Sequence, residues 1–418
     1  MERYLKYNTF QIGISQGARY VILFILWPFL AFITALKNYS NREAKIIVYL
    51  FLVYYGLSFV LGNAGVDAER YALNLKLTSE LPFSDFFKIV GGLYSDTTVD
   101  IAQPLVTFIV SRFTSHPGVL FGVWTAIMGF FYLKSVNLLH KHYSENPGWN
   151  ALVYMLFFIM LVPIFFVGGV RMPTAIWMFF YGACHVVLNR DPRYLVLTAA
   201  SSLVHWSFLS ANVVLLIYFI LGNRNLIYIP IVISSFVLPD LLGPVFQTLA
   251  LRMGGPIQAR YEGYSSEGYI QAIQDSYEGA SWFMGLSSDL IYYYLITLIL
   301  LIQLTNIHKP QKNNSKNLFS FLLLFLAFVN FGNVIPTFGG RFQTVFFLFS
   351  TLYIFLYMVK KDGTKINLTT TIGLFPMALY SLVNFRVGSE SISAWIFAPG
   401  FGLPFFVNNI SIADFLFR

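Results

Sequence analysis

The sequence predicts an all-α, polytopic integral membrane protein: a single membrane domain over residues 1–418 with about twelve transmembrane helices, in a range of about 10–14. Three observations predict it. Of 418 residues, 57 % are hydrophobic and only 11 % are charged, a balance no soluble domain shows. Apolar runs long enough to cross a bilayer recur along the whole chain. The lysines gather in the short polar segments between those runs, as positive-inside sorting demands. The net charge of +8 then follows from topology and does not call for nucleic acid as a partner. A single cysteine, Cys184, excludes an internal disulfide framework and a cysteine-based metal site.

The first apolar run, Val21–Leu36, passes into Lys37-Asn38-Tyr39 with no small-residue cleavage site, so it reads as an uncleaved span. Further runs lie at about 46–62, 118–134, 150–167, 172–188, 226–246, 289–306, 317–334, 342–359 and 366–384. The run 194–221 fits neither one span nor two. As one helix it is ~42 Å long, against a hydrocarbon core of ~30 Å. Charge decides the matter. The segments 37–45, 134–142, 189–193, 222–225, 308–316 and 360–365 hold ten of the thirteen lysines and are placed in the cytoplasm. Lysine-bearing or arginine-bearing loops flank 194–221 on both sides, so the chain goes out and returns, turning near His205-Trp206. Two short halves of this kind, re-entrant in character, are tolerated where they line protein or a water-filled cavity.

The predicted exterior then comprises two moderate loops, about 63–117 and 247–288, with 168–171, 335–341, 385–418 and the first twenty residues. Within the first loop, Asp100–Phe113 has the pattern of a helix that lies on the membrane or dips into it. Most of the acids and ten of the fourteen arginines fall on this side. Charge bias alone should thin lysine and arginine together. Arginine's planar fork suits bidentate capture of phosphate or carboxylate, so the segregation points to an exterior cavity built for an anion.

Arg171 is the centre of that reading. It stands in Val167-Gly168-Gly169-Val170-Arg171-Met172-Pro173, between two apolar runs with almost no loop to carry it away. Pro173 suits the first turn of a helix, which puts Arg171 at a helix N-terminus that favours anions. The structural alternative is an interfacial arginine that snorkels into headgroups. Arg341 follows Gly339-Gly340 in the same way, and glycine pairs permit N–H groups to converge on an anion. Asp67-Ala68-Glu69-Arg70-Tyr71 sets a carboxylate one helical turn from a guanidinium, either to orient a sugar or phosphate or as a self-satisfied ion pair. His205 at the hairpin turn is a candidate general base; a turn-capping histidine is the alternative. Asp67 is the second candidate base. Arg252, Arg260, Tyr261 and Tyr264 put cations and aromatic rings together in the second exterior loop, where they suit a glycan or serve as interfacial anchors. Phosphate-binding loops, dinucleotide fingerprints, HExxH and GxSxG are absent from the sequence, and no metal ligand set is assigned.

With these residues in place, the chain resembles the EpsG-like branch of the Wzy polysaccharide (O-antigen) polymerases over roughly residues 46–360. The carriers are Asp67-x-x-Arg70-Tyr71 after the second span, Arg171 opening a span, Ser207 two residues after His205 in a short hairpin, and Arg341 late in the chain. Met172-Pro173 departs from the pattern, which would have Gln and a plain helix former after Arg171. The resemblance implies a multi-pass glycosyltransferase of the bacterial inner membrane. It would join lipid-linked oligosaccharide repeats, carried on undecaprenyl diphosphate, into surface polysaccharide at the outer face. It implies no cofactor, the lipid bilayer as solvent, and a chain-length regulator protein as a partner. Arg171 and Arg341 would stabilise the leaving diphosphate, His205 or Asp67 would act as base, and Arg70, Tyr71, Arg252, Arg260, Tyr261 and Tyr264 would bind substrate. A flippase of the same lipid-linked repeat and an O-antigen ligase are the competing readings.

Overall fold

The computed structural model describes residues 15–61, 66–87, 100–145, 147–238, 243–268, 271, 275, 281–305, 313–335, 338–360, 366–407 and 409–417. Among them the regular structure is helical. Six helices are long and apolar enough to cross a bilayer: Pro117–Glu145, Trp149–Gly169, Trp282–Thr305, Asn314–Gly332, Phe338–Lys360 and Leu368–Gly388. The remaining apolar helices are shorter, so the expected dozen full-length spans is not what the helix lengths show.

The chain begins with α1 (Gln16–Leu26), α2 (Pro28–Lys37) and α3 (Arg42–Leu57). The sequence reading took 21–36 as one span. Instead the helix breaks at Trp27, where φ is −155° and ψ is 89°, and Pro28 opens the next helix. A Cβ at Gly17 would lie 3.7 Å from Cγ of Glu43. The start of α1 therefore sits beside the start of α3, and α1 and α2 form a hairpin. Each arm is ~15 Å long, half of a ~30 Å core. Arg19 therefore lies near the lysine-bearing end, contrary to its assignment to the other side; residues 1–14, which shared that assignment, lie outside the described residues.

The hairpin apex meets a second inserted segment. After the last span described below, residues 395–407 fold back against this apex. The indole N–H of Trp27 donates to the Phe397 carbonyl at 2.8 Å, and the N–H groups of Gly400 and Phe401 reach the carbonyls of Leu26 and Ile25. These bonds satisfy carbonyls that the break at Trp27 leaves without helical partners.

After α4 (Val66–Ser79) come α5 (Ala102–Ser111), the long α6 (Pro117–Glu145) and α7 (Trp149–Leu161), which continues as a 3₁₀ turn, Ile164–Gly169. Then follow α8 (Arg171–Asn189), α9 (Tyr194–Val204) and α10 (Phe208–Leu221). The break at 205–207 turns 194–221 into two short helices, as charge sorting required. α11 (Asn225–Val237) carries Pro230 and ends well before the expected limit of its run at 246. α12 (Gly243–Met253) and α13 (Gly255–Ser265) follow, then the spans α14 (Trp282–Thr305), α15 (Asn313–Gly332), α16 (Phe338–Lys360) and α17 (Leu368–Gly388).

α16 is the central helix: its residues from Val345 to Phe355 are all buried, on every face. It packs through rings, Phe349 lying 4.7 Å from Phe180 and 5.0 Å from Phe321, centroid to centroid. The ends of the spans sort by side. At one end Tyr39 packs on His140, Asn317 donates to the Val187 carbonyl, Asn223 donates to Asn317, Lys360 reaches Ser315 and the Asn367 N–H meets Asn150. These residues flank the lysine-bearing segments, and the described residues on either side of those segments lie at one end of the bundle. The opposite end holds the polar cluster described next.

Candidate functional site

Arg171 is the first residue of α8, at the mouth of the helical core. Its guanidinium is already engaged on two edges. Nε donates to the Tyr71 hydroxyl at 2.7 Å and Nη1 donates to Asp100 Oδ2 at 2.5 Å. The side chain of Arg171 is 22 % exposed and that of Asp100 only 7 %. This is a buried ion pair, which costs more in lost hydration than a surface pair and holds only when its geometry is good.

The other oxygen of the carboxylate is used as well. Asp100 Oδ1 accepts from the backbone N–H of Trp206 at 2.6 Å. Asp100 therefore ties together three pieces: the start of α5, the N-terminus of α8 and the turn between α9 and α10. That turn exists because α9 ends in extended backbone at His205, leaving the Trp206 N–H outside any helix. An unpaired amide at this depth is expensive, and Asp100 supplies its acceptor.

His205 is thus one residue from the cluster. Its Nδ1 lies 2.8 Å from Ser207 Oγ and accepts from the Ser207 N–H at 3.3 Å. An acceptor Nδ1 places the ring proton on Nε2 in the neutral imidazole. In this arrangement the ring N–H is at Nε2. Ser207, noticed in the sequence only by its spacing, is what orients it.

Tyr71 is buried on the inner side of α4, with Arg70 beside it, the Arg70 guanidinium 5.6 Å from the ring centroid. Burial pushes the Tyr71 hydroxyl up from its ordinary pKa of 10.0, against the pull of Arg171, so the phenol stays protonated at neutral pH. Arg70 donates to Asp67 at 2.7 Å, and both are about half exposed. The ion pair that the spacing of this motif allows is therefore formed.

Arg341 enters from the side. Its neighbour Phe342 packs against Phe208 at 5.4 Å, and Phe208 stands three residues from His205, ring to ring at 6.3 Å. The first turns of α10 and α16 therefore adjoin, which sets Arg341 next to the hairpin turn at the same end as Arg171. The preceding Gly339 has a packing reason: a Cβ there would fall inside Asn333. Its glycine serves close approach of α16 to the end of α15.

Of the site residues expected in the second exterior loop, the two whose side chains are described stand apart from the cluster. Arg252 is exposed on α12 and Tyr261 is half-buried on α13, and among the described residues neither bonds to Arg171, Asp100 or His205. The side chains of Arg260 and Tyr264 lie outside the described residues. Arg112, counted in the sequence among the arginines of an anion cavity, is spent on structure. Its guanidinium donates to the carbonyls of Leu81 and Thr78 and so closes the C-terminal end of α4. No group of three His, Cys, Asp or Glu side chains among the described residues is placed to hold a metal ion.

Asp100 is the residue that sequence reasoning passed over. A signal existed: it is a lone acid at the entry of the apolar decamer Ala102–Ser111, the same kind of placement that singled out Arg171.

The EpsG family model matches residues 56–396, a stretch that contains Tyr71, Asp100, Arg171, His205 and Arg341. No curated protein matches the chain, and no solved structure does.

Proposed function

Because the chain belongs to the EpsG family, a family of membrane proteins of polysaccharide synthesis, we propose that it is a Wzy-type polymerase. It joins lipid-linked oligosaccharide repeats into O-antigen or a related surface polysaccharide at the outer face of the bacterial inner membrane. The observation that carries the reading is the guanidinium of Arg171, held in the resting protein at a helix N-terminus by Tyr71 and Asp100 at one end of a helical membrane core. The substrates are two undecaprenyl-diphosphate-linked glycans, reached from the bilayer, and a chain-length regulator protein is a further partner in the same reading.

The chemistry suits these residues. The anomeric carbon of the donor glycan carries a diphosphate, a good leaving group once fixed cations meet its developing charge. Arg171 takes one part of that charge through its fork, and Arg341, one helix away, takes another. Nε2–H of His205 adds a neutral donor. Arg70 and Tyr71 line the approach. Neither nucleotide nor metal enters the reaction, since the diphosphate already activates the donor.

The test is turnover of a synthetic lipid-linked repeat by the purified protein in nanodiscs, read as a chain-length ladder. Polymer supports the reading. Transbilayer movement of the repeat in vesicles without polymer would identify a flippase, and transfer of finished glycan to a lipid acceptor without elongation a ligase; either result overturns it.

A further inference from the structure

Asp100 is a buried carboxylate between the two features that matter most for the proposed reaction. One oxygen sits on the arginine assigned to the diphosphate, and the other sits on the backbone N–H next to His205. Stability alone does not explain it. A buried ion pair is a weak source of folding energy and is often matched by apolar side chains of the same volume. The alternatives for a base are poorly placed: Asp67 is half exposed and bound to Arg70, and His205 Nδ1 is taken by Ser207. Each oxygen of Asp100 accepts one of these two hydrogen bonds, and a carboxylate has about four acceptor positions, so the group can still receive a hydroxyl.

We propose that Asp100 is the general base, and that donor binding releases it. This rests on the polymerase reading above. The diphosphate and Asp100 compete for one guanidinium. When the donor arrives, Arg171 turns its fork to the diphosphate and Asp100 loses its cation, while Trp206 N–H keeps the carboxylate in place. A carboxylate stripped of its counter-charge, with a new anion nearby, is driven to take up a proton. The acceptor sugar hydroxyl supplies it. The acceptor oxygen forms a bond to the anomeric carbon of the donor, the anomeric C–O bond to the diphosphate breaks, and its electron pair leaves with the lipid diphosphate. The hydroxyl proton passes to Asp100 and then to the departing diphosphate or to water. The device makes the base available only when a donor is bound.

The competition gives a signature that a purely positioning role lacks. If Asp100 only held Arg171 in place, removing its charge would weaken diphosphate binding. If it competes, removal leaves binding equal or tighter while turnover collapses. The experiment uses the purified full chain in nanodiscs, with synthetic lipid-linked repeat for turnover and undecaprenyl diphosphate as the binding probe. Asp100→Asn keeps the Oδ1 acceptor for Trp206, and its probe binding reports folding on the same sample. We expect turnover to fall ~10²–10⁴-fold with probe affinity unchanged or raised, and sodium formate to restore part of the turnover of Asp100→Ala. Normal turnover in Asp100→Asn, or probe affinity lost together with turnover, overturns the base. A wild-type protein that does not polymerise the repeat fails at an earlier point and sinks the polymerase reading itself.

Discussion

Replacing Arg171 by lysine separates charge from geometry. Arginine uses two nitrogens at once, Nε for Tyr71 and Nη1 for Asp100. Lysine offers one ammonium and cannot span both. The same limit holds toward the diphosphate, which a single ammonium meets at one point instead of two; one charge-assisted hydrogen bond missing from the transition state is ~1.5–3 kcal/mol, or ~10- to ~200-fold in rate. The charge survives, so buried Asp100 keeps a cation and Arg171→Lys should insert and fold. Arg171→Ala is different: it strands Asp100, 7 % exposed, without a counter-charge, which costs ~3–5 kcal/mol and should lower the melting temperature in detergent. The assay is turnover of lipid-linked repeat by purified Arg171→Lys, with melting and membrane insertion as controls. A wild-type chain-length ladder from a well-folded Arg171→Lys would refute the bidentate role of this residue.

Three further outcomes follow from the fold. A compartment reporter fused at Ser15 should read the same side as one at Asn313 and the opposite side to one at Glu69, because α1 and α2 return to the end where they began; opposite signals from Ser15 and Asn313 would mean a complete first span. Gly56→Ala should destabilise the protein by ~1–3 kcal/mol, since a Cβ there would meet Thr125 Oγ1 and the Phe121 carbonyl of α6 at 2.2 and 2.7 Å; an unchanged thermal melt would show that α3 and α6 can part at no cost. Arg112→Ala should free the carbonyls of Thr78 and Leu81 and raise proteolysis within residues 76–87 while leaving undecaprenyl diphosphate binding in place. Loss of that binding instead would put Arg112 among the anion-binding arginines.

The sequence by itself determined what composition and spacing can carry. Hydrophobic runs made the chain a helical membrane protein, because only helices satisfy every backbone group within one segment in lipid. Charge sorting found the hairpin of 194–221 with its turn at His205-Trp206, since the net charge of flanking loops is local information. Position at a helix mouth found Arg171. What failed was what depends on distant partners. The run 21–36 has the composition of a span, yet it folds as two half-length arms because residues 395–407, over 350 positions away, come in to bond its broken end. The arginines read as one population until the fold divided them: Arg171 faces Asp100, Arg112 holds two carbonyls and Arg70 is paired three residues away. Asp100 and Arg171 are 71 positions apart, and the Trp206 amide that shares the carboxylate carries no side-chain signature at all. A site made from one acid, one guanidinium and one backbone N–H on three elements is decided only when tertiary packing brings them within hydrogen-bond reach, where burial makes each depend on the others.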